Sequence, residues 1–365
     1  MQNDIQIDPL TGGSMSELHE RSGWIVKYYA GSIERGHEKL VEEHRWLSAI
    51  PQSVRASAAE LFPAPELVVD PDGRRTELHV RKFERVTISK ALLADRLGTE
   101  DAVAWFDLAM EALLATVYPL RCAAQRPGAV RDGHRRRLAF AENIFSRIEA
   151  LQPLLAMPTI RINDEIVPGL GRFAELMIEK HGRWLDARLA YAVHGNLHFD
   201  NILVEPEARP TSERVTLIDP RGDLLGPVHY DTAKLMTSAH SYYDEIHYDR
   251  YRLERESGGY RLAISPFAPK TYDALLHAVR RWTPQFAELD GIGETEALRA
   301  MLCCEAIHTY SFAAYHASRS RPNFERVEVY LLIAALLAAQ ADALIDAGLE
   351  QYAYRRRLHA DTLVK

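Results

Sequence analysis

The chain has few cysteines, and they match no known framework. Only three occur in 365 residues, Cys122, Cys303 and Cys304. Their spacing fits neither a disulfide framework nor a zinc site. Adjacent Cys303 and Cys304 fall in an apolar stretch with helical character. We therefore expect buried thiols in a reducing cytoplasm.

The sequence also lacks an excess of positive charge, a long apolar run and a signal peptide. Its formal net charge of −7 argues against a general nucleic-acid-binding protein. The longest apolar stretch, Tyr330 to Ala339, is too short to span a bilayer and is predicted to be a core helix. The amino terminus is polar and acidic, unlike a signal peptide. These features predict a cytoplasmic protein with no nucleic-acid partner and no membrane association.

The chain does contain a concentrated group of polar residues between apolar runs, from Tyr191 to Gly222. One apolar run leads to His194, and Asn201 precedes a second run. A third run ends at Asp219. Two strand-like runs joined by a turn would bring Asn201 and Asp219 to the same end of a hairpin. An amide oxygen and a carboxylate at that end are hard ligands suited to Mg²⁺ held together with a phosphate chain.

The same stretch resembles a known catalytic loop. It contains the string His194-Gly195-Asn196-Leu197-His198-Phe199-Asp200-Asn201. This string resembles the H-G-D-x-x-x-x-N loop of aminoglycoside phosphotransferases and choline kinases, small-molecule relatives of protein kinases. The resemblance implies an α+β, bilobal protein-kinase-like fold, with a small antiparallel β-sheet in the N-lobe and a mainly helical C-lobe. It implies a nucleotide-binding lobe at residues 1–83 and a lobe at residues 84–365 that carries the catalytic loop, the metal site and the acceptor pocket.

The function implied by this resemblance is phosphoryl transfer. The cofactors would be ATP, or another nucleoside triphosphate, and Mg²⁺. The partner would be a small molecule that offers a hydroxyl group as acceptor, such as a sugar, an amino sugar or an amino alcohol. In the resembled family, residues at the positions of Asn201 and Asp219 bind the metal. His194 and Asp200 are further candidate catalytic residues in the loop.

The sequence departs from the family pattern at Asn196, where the family has its catalytic Asp. An amide is not a base at neutral pH, although it still accepts a hydrogen bond and can orient a hydroxyl group. Three interpretations remain open: an Asp replaced on purpose to slow turnover, a natural Asn in an active enzyme, or a pseudoenzyme that binds nucleotide without transferring phosphate. The second is physically reasonable because a loose transition state puts little charge on the attacking oxygen. Retention of Lys27 and of the metal pair counts against the third.

The upstream sequence contains candidate nucleotide-binding residues. Ile25-Val26-Lys27 resembles the strand whose Lys pairs with nucleotide phosphates and with a helix Glu. Glu43, in a helix predicted over residues 32–49, is the expected partner of Lys27, with Glu42 as the alternative; a solvated charged face is the simpler interpretation of such a Glu. Gly12, Gly13 and Ser14 would form a loop whose backbone approaches the phosphates, although a plain hairpin turn fits the same residues.

The downstream sequence contains a second motif, Y-D-x-A-K-L, at residues 230–235. In the resembled family this motif begins a helix, and its Asp, here Asp231, braces the catalytic loop from behind. Together with I-D-P-R-G and Y-Y-D-x-I, the motif resembles a subgroup found with bacterial surface-polysaccharide genes. The candidates for substrate contact are polar or aromatic residues in this region: His198, Arg221, His240, Tyr243 and Asp244. Of the polar and aromatic residues on the helices after Leu235, only one or two are expected to touch substrate, since a His on a helix is more often a satisfied core or surface residue.

The stretch from Ile88 to about Ala190 is predicted to be mostly helical, as is the last third of the chain. Arg135, Arg136 and Arg137 are predicted to open a helix over residues 138–155. Such a basic triplet is usually exposed to solvent. A surface facing an anionic substrate is the alternative.

Overall fold

A computed structural model describes residues 17–30, 34–57, 60–70, 75–120, 122–221, 225–319 and 322–347. The predicted glycine loop at Gly12, Gly13 and Ser14 lies outside the described residues. The strands are β1 (Glu17–Arg21), β2 (Trp24–Ala30), β3 (Pro65–Val69), β4 (Arg75–Arg81), β5 (Val86–Thr87), β6 (Cys122–Ala124), β7 (Thr159–Ile162), β8 (Glu165–Pro168), β9 (Leu189–Tyr191), β10 (Ile202–Val204), β11 (Thr216–Leu217), β12 (Tyr251–Glu256) and β13 (Gly259–Ile264). The α-helices are α1 (Glu34–Ser48), α2 (Gln52–Ser57), α3 (Ile88–Leu93), α4 (Thr99–Thr116), α5 (Ala129–Phe145), α6 (Gln152–Leu155), α7 (Val228–Ala239), α8 (Tyr243–His247), α9 (Pro269–Asp290), α10 (Glu294–Ala317) and α11 (Phe324–Ala347).

The amino-terminal part is an antiparallel sheet with the strand order β1-β2-β4-β3. Along β4, Thr76, Leu78 and Val80 are buried while the intervening side chains are more exposed, the alternation expected of a strand with one face on a core. Helix α1 packs against this sheet. Its buried residues include Leu40, Glu43 and Leu47, which share one helical face because they are spaced by three and four residues. A charged residue is thereby carried on an apolar face.

The short sheet β11-β10-β5 holds the predicted hairpin. Ile202 pairs with Leu217 in the antiparallel register of β10 and β11. The residues just outside this pair, Asn201 and Ile218, are joined by a hydrogen bond from the Ile218 N–H to the Asn201 carbonyl at 3.1 Å. Asn201 and Asp219 therefore emerge at the same end of the hairpin, as predicted.

Helices dominate the carboxy-terminal part, where α10 packs against α11, α7 and α5. The predicted α+β fold, with a small antiparallel sheet followed by a mainly helical part, is confirmed. The boundary at residue 83 stays a prediction. Leu47 and Val80 before it and Ile88 and Phe199 after it belong to one continuous apolar cluster.

The sequence-based assignment of helices was incomplete in two regions. The strand order β12-β13-β7-β8 forms a second four-stranded sheet within stretches that were predicted to be helical. The helix predicted over 138–155 is instead α5, which ends at Phe145 and contains the three arginines. Its buried residues are His134, Leu138, Ala141 and Phe145, with helical spacing of four, three and four. The sequence analysis missed the start of α5 because the first buried residue on this face, His134, is not apolar.

Helices α4 and α11 are long and apolar enough to cross a membrane by length and composition. Packing inside the protein accounts for these properties. Helix α11 lies against α10 and α4 against α9, and Trp105, Phe106, Tyr330 and Leu331 are fully buried. Both helices thus have the contacts expected of core helices.

The amino terminus of α7 is capped by a side chain from the end of α9. The Asp290 carboxylate is fully buried and accepts hydrogen bonds from the backbone N–H groups of Val228 at 2.7 Å and His229 at 2.8 Å. It also lies 2.9 Å from His229 Nδ1. Burial alone would lower the pKa of His229, but the Asp290 carboxylate outweighs burial and raises it to about 10.

This pair predicts a loss of stability at alkaline pH. The folded-state pKa of His229 lies above its ordinary value of about 6.5. The contribution of protonated His229 to the free energy of unfolding is therefore complete below pH 6.5 and is lost as the pH rises through about 10. Within that window the free energy of unfolding should fall by about 1.4 kcal/mol per pH unit from this group. Urea unfolding at a series of pH values, with His229→Gln as the comparison, measures it. Equal slopes in the two proteins would show that His229 is not charged in the fold.

Candidate active site

Lys27 lies at the centre of the site. Strand β2 places its side chain on the buried face of the sheet, where the residue is 6 % exposed. The ammonium group donates to Glu43 Oε1 at 2.6 Å and to Asp219 Oδ1 at 2.7 Å. Burial alone would lower the pKa of Lys27, but the two carboxylates outweigh it and raise that pKa. The expected Lys27–Glu43 pair is present, and Lys27 also connects the sheet to the β10–β11 hairpin.

Asp219 is held from two sides in an uncommon backbone conformation. Its φ of 56° lies in the left-handed region, which Asp and Asn tolerate better than most other residues. The Asn196 amide donates to Asp219 Oδ2 at 2.8 Å, opposite the Lys27 contact. Burial would raise the pKa of Asp219, but the charge of Lys27 lowers it well below its usual range. Asp219 is therefore an ionised carboxylate.

The amide nitrogen of Asn196 lies close to two acceptor oxygens of Asp219. Nδ2 lies 2.8 Å from Asp219 Oδ2 and 3.3 Å from the Asp219 carbonyl oxygen. Two acceptors on the same side fix the orientation of the amide. The Oδ1 oxygen consequently faces the other way and can accept a hydrogen bond from a hydroxyl group. Asn196 orients Asp219 as a neutral donor, a role that a carboxylate could not fill.

Asn201 has its amide nitrogen engaged and its amide oxygen available. Nδ2 donates to the Asn196 carbonyl at 2.7 Å and lies 3.2 Å from His198 Nε2. Together with Asp219 it offers two hard oxygen ligands, the donor set that suits Mg²⁺ when phosphate oxygens and water complete the shell. No group of three or more His, Cys, Asp or Glu that could hold a metal occurs in the described parts of the chain.

Asp231 braces the loop from behind. Its carboxylate is fully buried and accepts from the backbone N–H groups of His194 at 2.8 Å and Gly195 at 2.6 Å. Burial raises the pKa of Asp231 to about 7, against the opposing effect of these two N–H groups. Gly195 has a φ of 74°, and a Cβ there would lie 2.8 Å from the Cβ of Arg221. Only glycine fits this close approach without movement of the chain.

His194 is part of the core, while its catalytic role stays a prediction. The residue is completely buried, and its ring lies edge-on to Trp46 of α1 at 5.9 Å between centroids. Trp46 in turn donates from Nε1 to the Val193 carbonyl at 2.9 Å. Burial lowers the pKa of His194 to about 4, so its imidazole is neutral. The structure gives His194 a packing role that ties the loop to α1.

Asp200, a candidate catalytic residue, has its carboxylate engaged by two hydroxyl groups. Oδ1 accepts from the Thr87 hydroxyl at 2.8 Å and the Tyr248 hydroxyl at 3.0 Å. Asp200 and Asn201 both belong to a short 3₁₀ turn over Phe199–Asn201, and the Asn201 side chain bonds instead to the Asn196 carbonyl. Asp200 thus fastens the loop to Thr87, the residue before α3, and its catalytic role stays a prediction.

The five candidates for substrate contact lie in different environments. Arg221 directly adjoins the loop, since its backbone N–H donates to the His194 carbonyl at 2.7 Å. His198 stacks near Tyr243, with 4.7 Å between ring centroids. His240 Nδ1 lies 2.9 Å from Glu305 Oε1. Asp244 is fully buried and accepts from Tyr272 at 2.7 Å.

The environment of Asp244 indicates a second brace for the loop. Burial, with the charge of Glu245, raises the pKa of Asp244 to about 7. The Ser238 hydroxyl donates to Asp244 at 3.3 Å and accepts from the Phe199 N–H at 3.2 Å. The loop is thus connected through Ser238 to a buried carboxyl. Asp244 and His240 are bonded to neighbouring helices, whereas Arg221 is bonded to the loop itself at His194.

Sequence reasoning missed Trp46, Tyr118 and Lys234 as neighbours of the site. The Tyr118 hydroxyl donates to Asp231 Oδ2 at 3.3 Å. Trp46 and Tyr118 carry no sequence signal beyond being apolar positions on helical faces. Lys234 did have a signal in the sequence, since it belongs to the Y-D-x-A-K-L motif.

These contacts and this order of elements define a protein-kinase-like fold. In it, Lys27 of β2, Glu43 of α1 and Asp219 after β11 converge beside the loop that contains Asn196. Neither the known family models nor the curated proteins give a match to the chain.

Solved structures do match over nearly the whole chain. The apo form of a thermostable mutant of aminoglycoside phosphotransferase APH(4)-Ia superposes with a TM-score of 0.51 at 13 % identity, covering 95 % of this chain and 96 % of that one. Glucosamine kinase in complex with glucosamine, ADP and inorganic phosphate gives 0.50 at 14 % identity, covering 91 % and 80 %. A ternary complex of an APH(4)-Ia mutant with ADP and hygromycin B gives 0.50 at 13 %, covering 94 % of each chain. The chain has the fold of these small-molecule phosphotransferases.

Proposed function

We propose that the protein is an ATP- and Mg²⁺-dependent phosphotransferase that moves the γ-phosphoryl group to a hydroxyl of a small molecule. The observation that carries the proposal is the double contact of Lys27 with Glu43 and Asp219. A buried ion triad is costly to maintain without a function that needs the charges. The fold shared with phosphotransferases that were crystallised with ADP supports a nucleotide as the ligand.

Each residue of the site has a role in this chemistry. Lys27 would bind the nucleotide phosphates while Glu43 holds it in place. Asn201 and Asp219 would hold Mg²⁺, which supplies charge neutralisation to the phosphates when bound. Asp231 keeps the loop in position through His194 and Gly195. The protein thus contributes position and charge, which is most of what phosphoryl transfer requires.

Asn196 would orient the acceptor without taking its proton. The hydroxyl donates to Asn196 Oδ1, and its oxygen attacks the γ-phosphorus. The bond between the γ-phosphorus and the β–γ bridging oxygen breaks, so ADP leaves with that electron pair. The hydroxyl proton passes to a non-bridging oxygen of the transferred group, which leaves as the monoprotonated phosphate ester. A loose transition state permits this late proton movement.

A nucleotide-binding protein without transfer activity is the second candidate. The observation that favours it is the same amide at position 196, which cannot serve as a general base. The two candidates differ in one measurable respect. The enzyme releases ADP when an acceptor is added, whereas the binding protein holds Mg·ATP and releases none.

Variants at Asn196 test the proposal. We expect the unaltered chain to release ADP with a hydroxyl acceptor and to stop when Mg²⁺ is chelated. Asn196→Ala should lower kcat by about 10- to 100-fold, because Asp219 and the acceptor each lose one hydrogen bond. A coupled assay of ADP release measures this. Asn143→Ala is the matched control, since the exposed side chain of Asn143 bonds only to exposed Arg147 among the described residues.

The Asn196→Asp variant separates the two candidates. ADP release by both the unaltered chain and Asn196→Asp supports an active enzyme with a natural asparagine. Release by Asn196→Asp alone supports the second candidate. Absence of Mg·ATP binding in every form contradicts both, and isothermal titration calorimetry measures that binding.

A further inference from the structure

Three cationic side chains gather beside the candidate active site, around Tyr230 of α7. The Arg221 Nη1 donates to the Tyr230 hydroxyl at 2.6 Å. The Arg137 guanidinium lies over the same ring, 5.1 Å from its centroid. Lys234 follows Tyr230 by one helical turn, so it lies on the same face of α7. We name Arg137, Arg221 and Lys234 the cationic cluster.

Lys234 is the buried member of this cluster. The residue is 6 % exposed, and its ammonium lies 4.2 Å from the centroid of the Phe312 ring. Among the described residues, the Lys234 ammonium makes no hydrogen bond or ion pair. Burial, together with the charges of Arg137 and Arg221, lowers the pKa of Lys234 well below its usual value. A buried amine without an acceptor is costly, and a bound anion would supply one.

Two buried histidines add polar atoms to the same place. The His308 ring is 4.4 Å from the Tyr230 ring between centroids, and the His134 ring is 5.9 Å from it. Within the described part of the chain, neither nitrogen of His308 has a hydrogen-bond partner, nor does Nδ1 of His134. Buried polar atoms are nearly always satisfied by protein, water or ligand. The unpartnered atoms thus converge on Tyr230, as Lys234 does.

The cationic cluster borders the acceptor side of the loop. Arg221 comes two residues after Asp219, and its Cβ packs against Gly195, the neighbour of Asn196. Lys234 comes three residues after Asp231. The carboxylate of Asp231 already accepts two backbone N–H groups of the loop. Three cationic side chains from α5, α7 and the segment after β11 therefore border the loop, beside the carboxylates of Asp231 and Asp219, which also act on Lys234.

Resting on the proposed function, we propose that the acceptor is an anion. It would be a hydroxyl compound that also carries a phosphate or a carboxylate, and Arg221, Lys234 and Arg137 would bind that group. Guanidinium groups suit such oxyanions because they offer paired N–H donors, and the Lys ammonium adds a point charge. An acceptor rich in protonated amines would meet like charge at this surface. Within the proposed acceptors, acidic sugars are thus favoured over amino sugars.

A series of sugars that share a ring and differ in charge tests this inference. Glucose 6-phosphate and glucuronate are the anionic members, glucose is neutral and glucosamine is cationic. We expect at least one anion to bind about tenfold or more tightly than glucose, and glucosamine to bind more weakly than glucose. Titration calorimetry with saturating Mg·AMP-PNP measures each Kd, and ADP release with ATP measures transfer. Inorganic phosphate, titrated under the same conditions, probes the cluster without any sugar.

Substitutions separate the cluster from general charge effects. Arg221→Gln and Lys234→Met should each weaken binding of inorganic phosphate and the favoured anion about tenfold or more, with little change for glucose. Arg136→Gln is the matched control, because Arg136 is an exposed neighbour on α5. Circular dichroism and the unfolding midpoint verify that each variant is folded.

The outcomes distinguish failure of this inference from failure of the proposed function. Transfer to glucose or glucosamine at least as efficient as to the anions overturns the inference and leaves the phosphotransferase intact. Failure of phosphate and both anionic sugars to bind also overturns it, as does an anion preference that survives both substitutions. Binding of Mg·ATP is measured separately, with Lys27→Met as the comparison. Its absence overturns the proposed function and, with it, the acceptor role of the cluster.

Discussion

Replacement of Asp219 by Asn is expected to lower kcat for phosphoryl transfer by about 10³-fold, the scale found for removal of preorganised charge from an active site. The substitution removes the carboxylate that contacts Lys27 at 2.7 Å and Asn196 at 2.8 Å. It also removes the charged ligand of the proposed Mg²⁺ site. Asn is chosen because the φ of 56° at this position is poorly tolerated by most other residues. The backbone is thereby preserved while the charge is lost.

Measurement of kcat and of the Mg²⁺ concentration at half-maximal rate gives the result. We expect a lower kcat together with a higher Mg²⁺ requirement, because both follow from loss of a metal ligand. Asp164→Asn provides the control, since Asp164 is exposed in the turn between β7 and β8. A kcat within tenfold of the unaltered chain at the same Mg²⁺ requirement would remove Asp219 from the proposed metal site.

The parts of this site that were predicted correctly are those set by local geometry. The antiparallel register of β10 and β11 brings Asn201 and Asp219 to the same end of the hairpin, whose connection spans residues 205–215. Lys27 and Glu43 are 16 residues apart, on a strand and the helix that follows it. Alternation along the strand and helical periodicity decide which side chains face each other. The sequence contains both patterns, so these pairs could be predicted without the rest of the chain.

Roles inside the loop could not be predicted in the same way. His194, Asn196 and Asp200 lie within seven residues, yet they face the core, Asp219 and Thr87, respectively. Their directions depend on contacts with Asp231 and Tyr248, which are 31 or more residues further along the chain. A motif identifies which residue types occur in such a loop. Long-range contacts decide which of them face the substrate.

The cationic cluster could not be predicted from the sequence either, because it also depends on long-range contacts. Arg137, Arg221 and Lys234 come from α5, the segment after β11, and α7, and they meet only because these elements pack around Tyr230. The arginine triplet was interpreted from sequence as a mostly exposed surface. That description fits Arg135 and Arg136, which are exposed, whereas Arg137 is half-buried. Three consecutive positions on a helix point in different directions, since each residue turns by 100°.

Asp231→Ala is expected to lower the free energy of unfolding by about 2–6 kcal/mol. The substitution leaves the buried N–H groups of His194 and Gly195 without acceptors, and each such loss costs roughly 1–3 kcal/mol. It also removes the acceptor of the Tyr118 hydroxyl. Asp231→Asn should cost less, because one amide oxygen can still accept from one of the two N–H groups. Urea unfolding of the three proteins measures this graded series.

The same series tests whether Asp231 acts through the loop. If it does, Mg·ATP binding at temperatures where all variants are folded should weaken in the order of the stability loss, because Gly195 precedes Asn196 directly. Asp273→Ala is the control, since Asp273 is an exposed carboxylate on α9. A purely stabilising carboxylate would lower the free energy of unfolding and leave ligand binding by the folded protein unchanged. Unchanged stability in Asp231→Ala would instead contradict the two buried hydrogen bonds themselves.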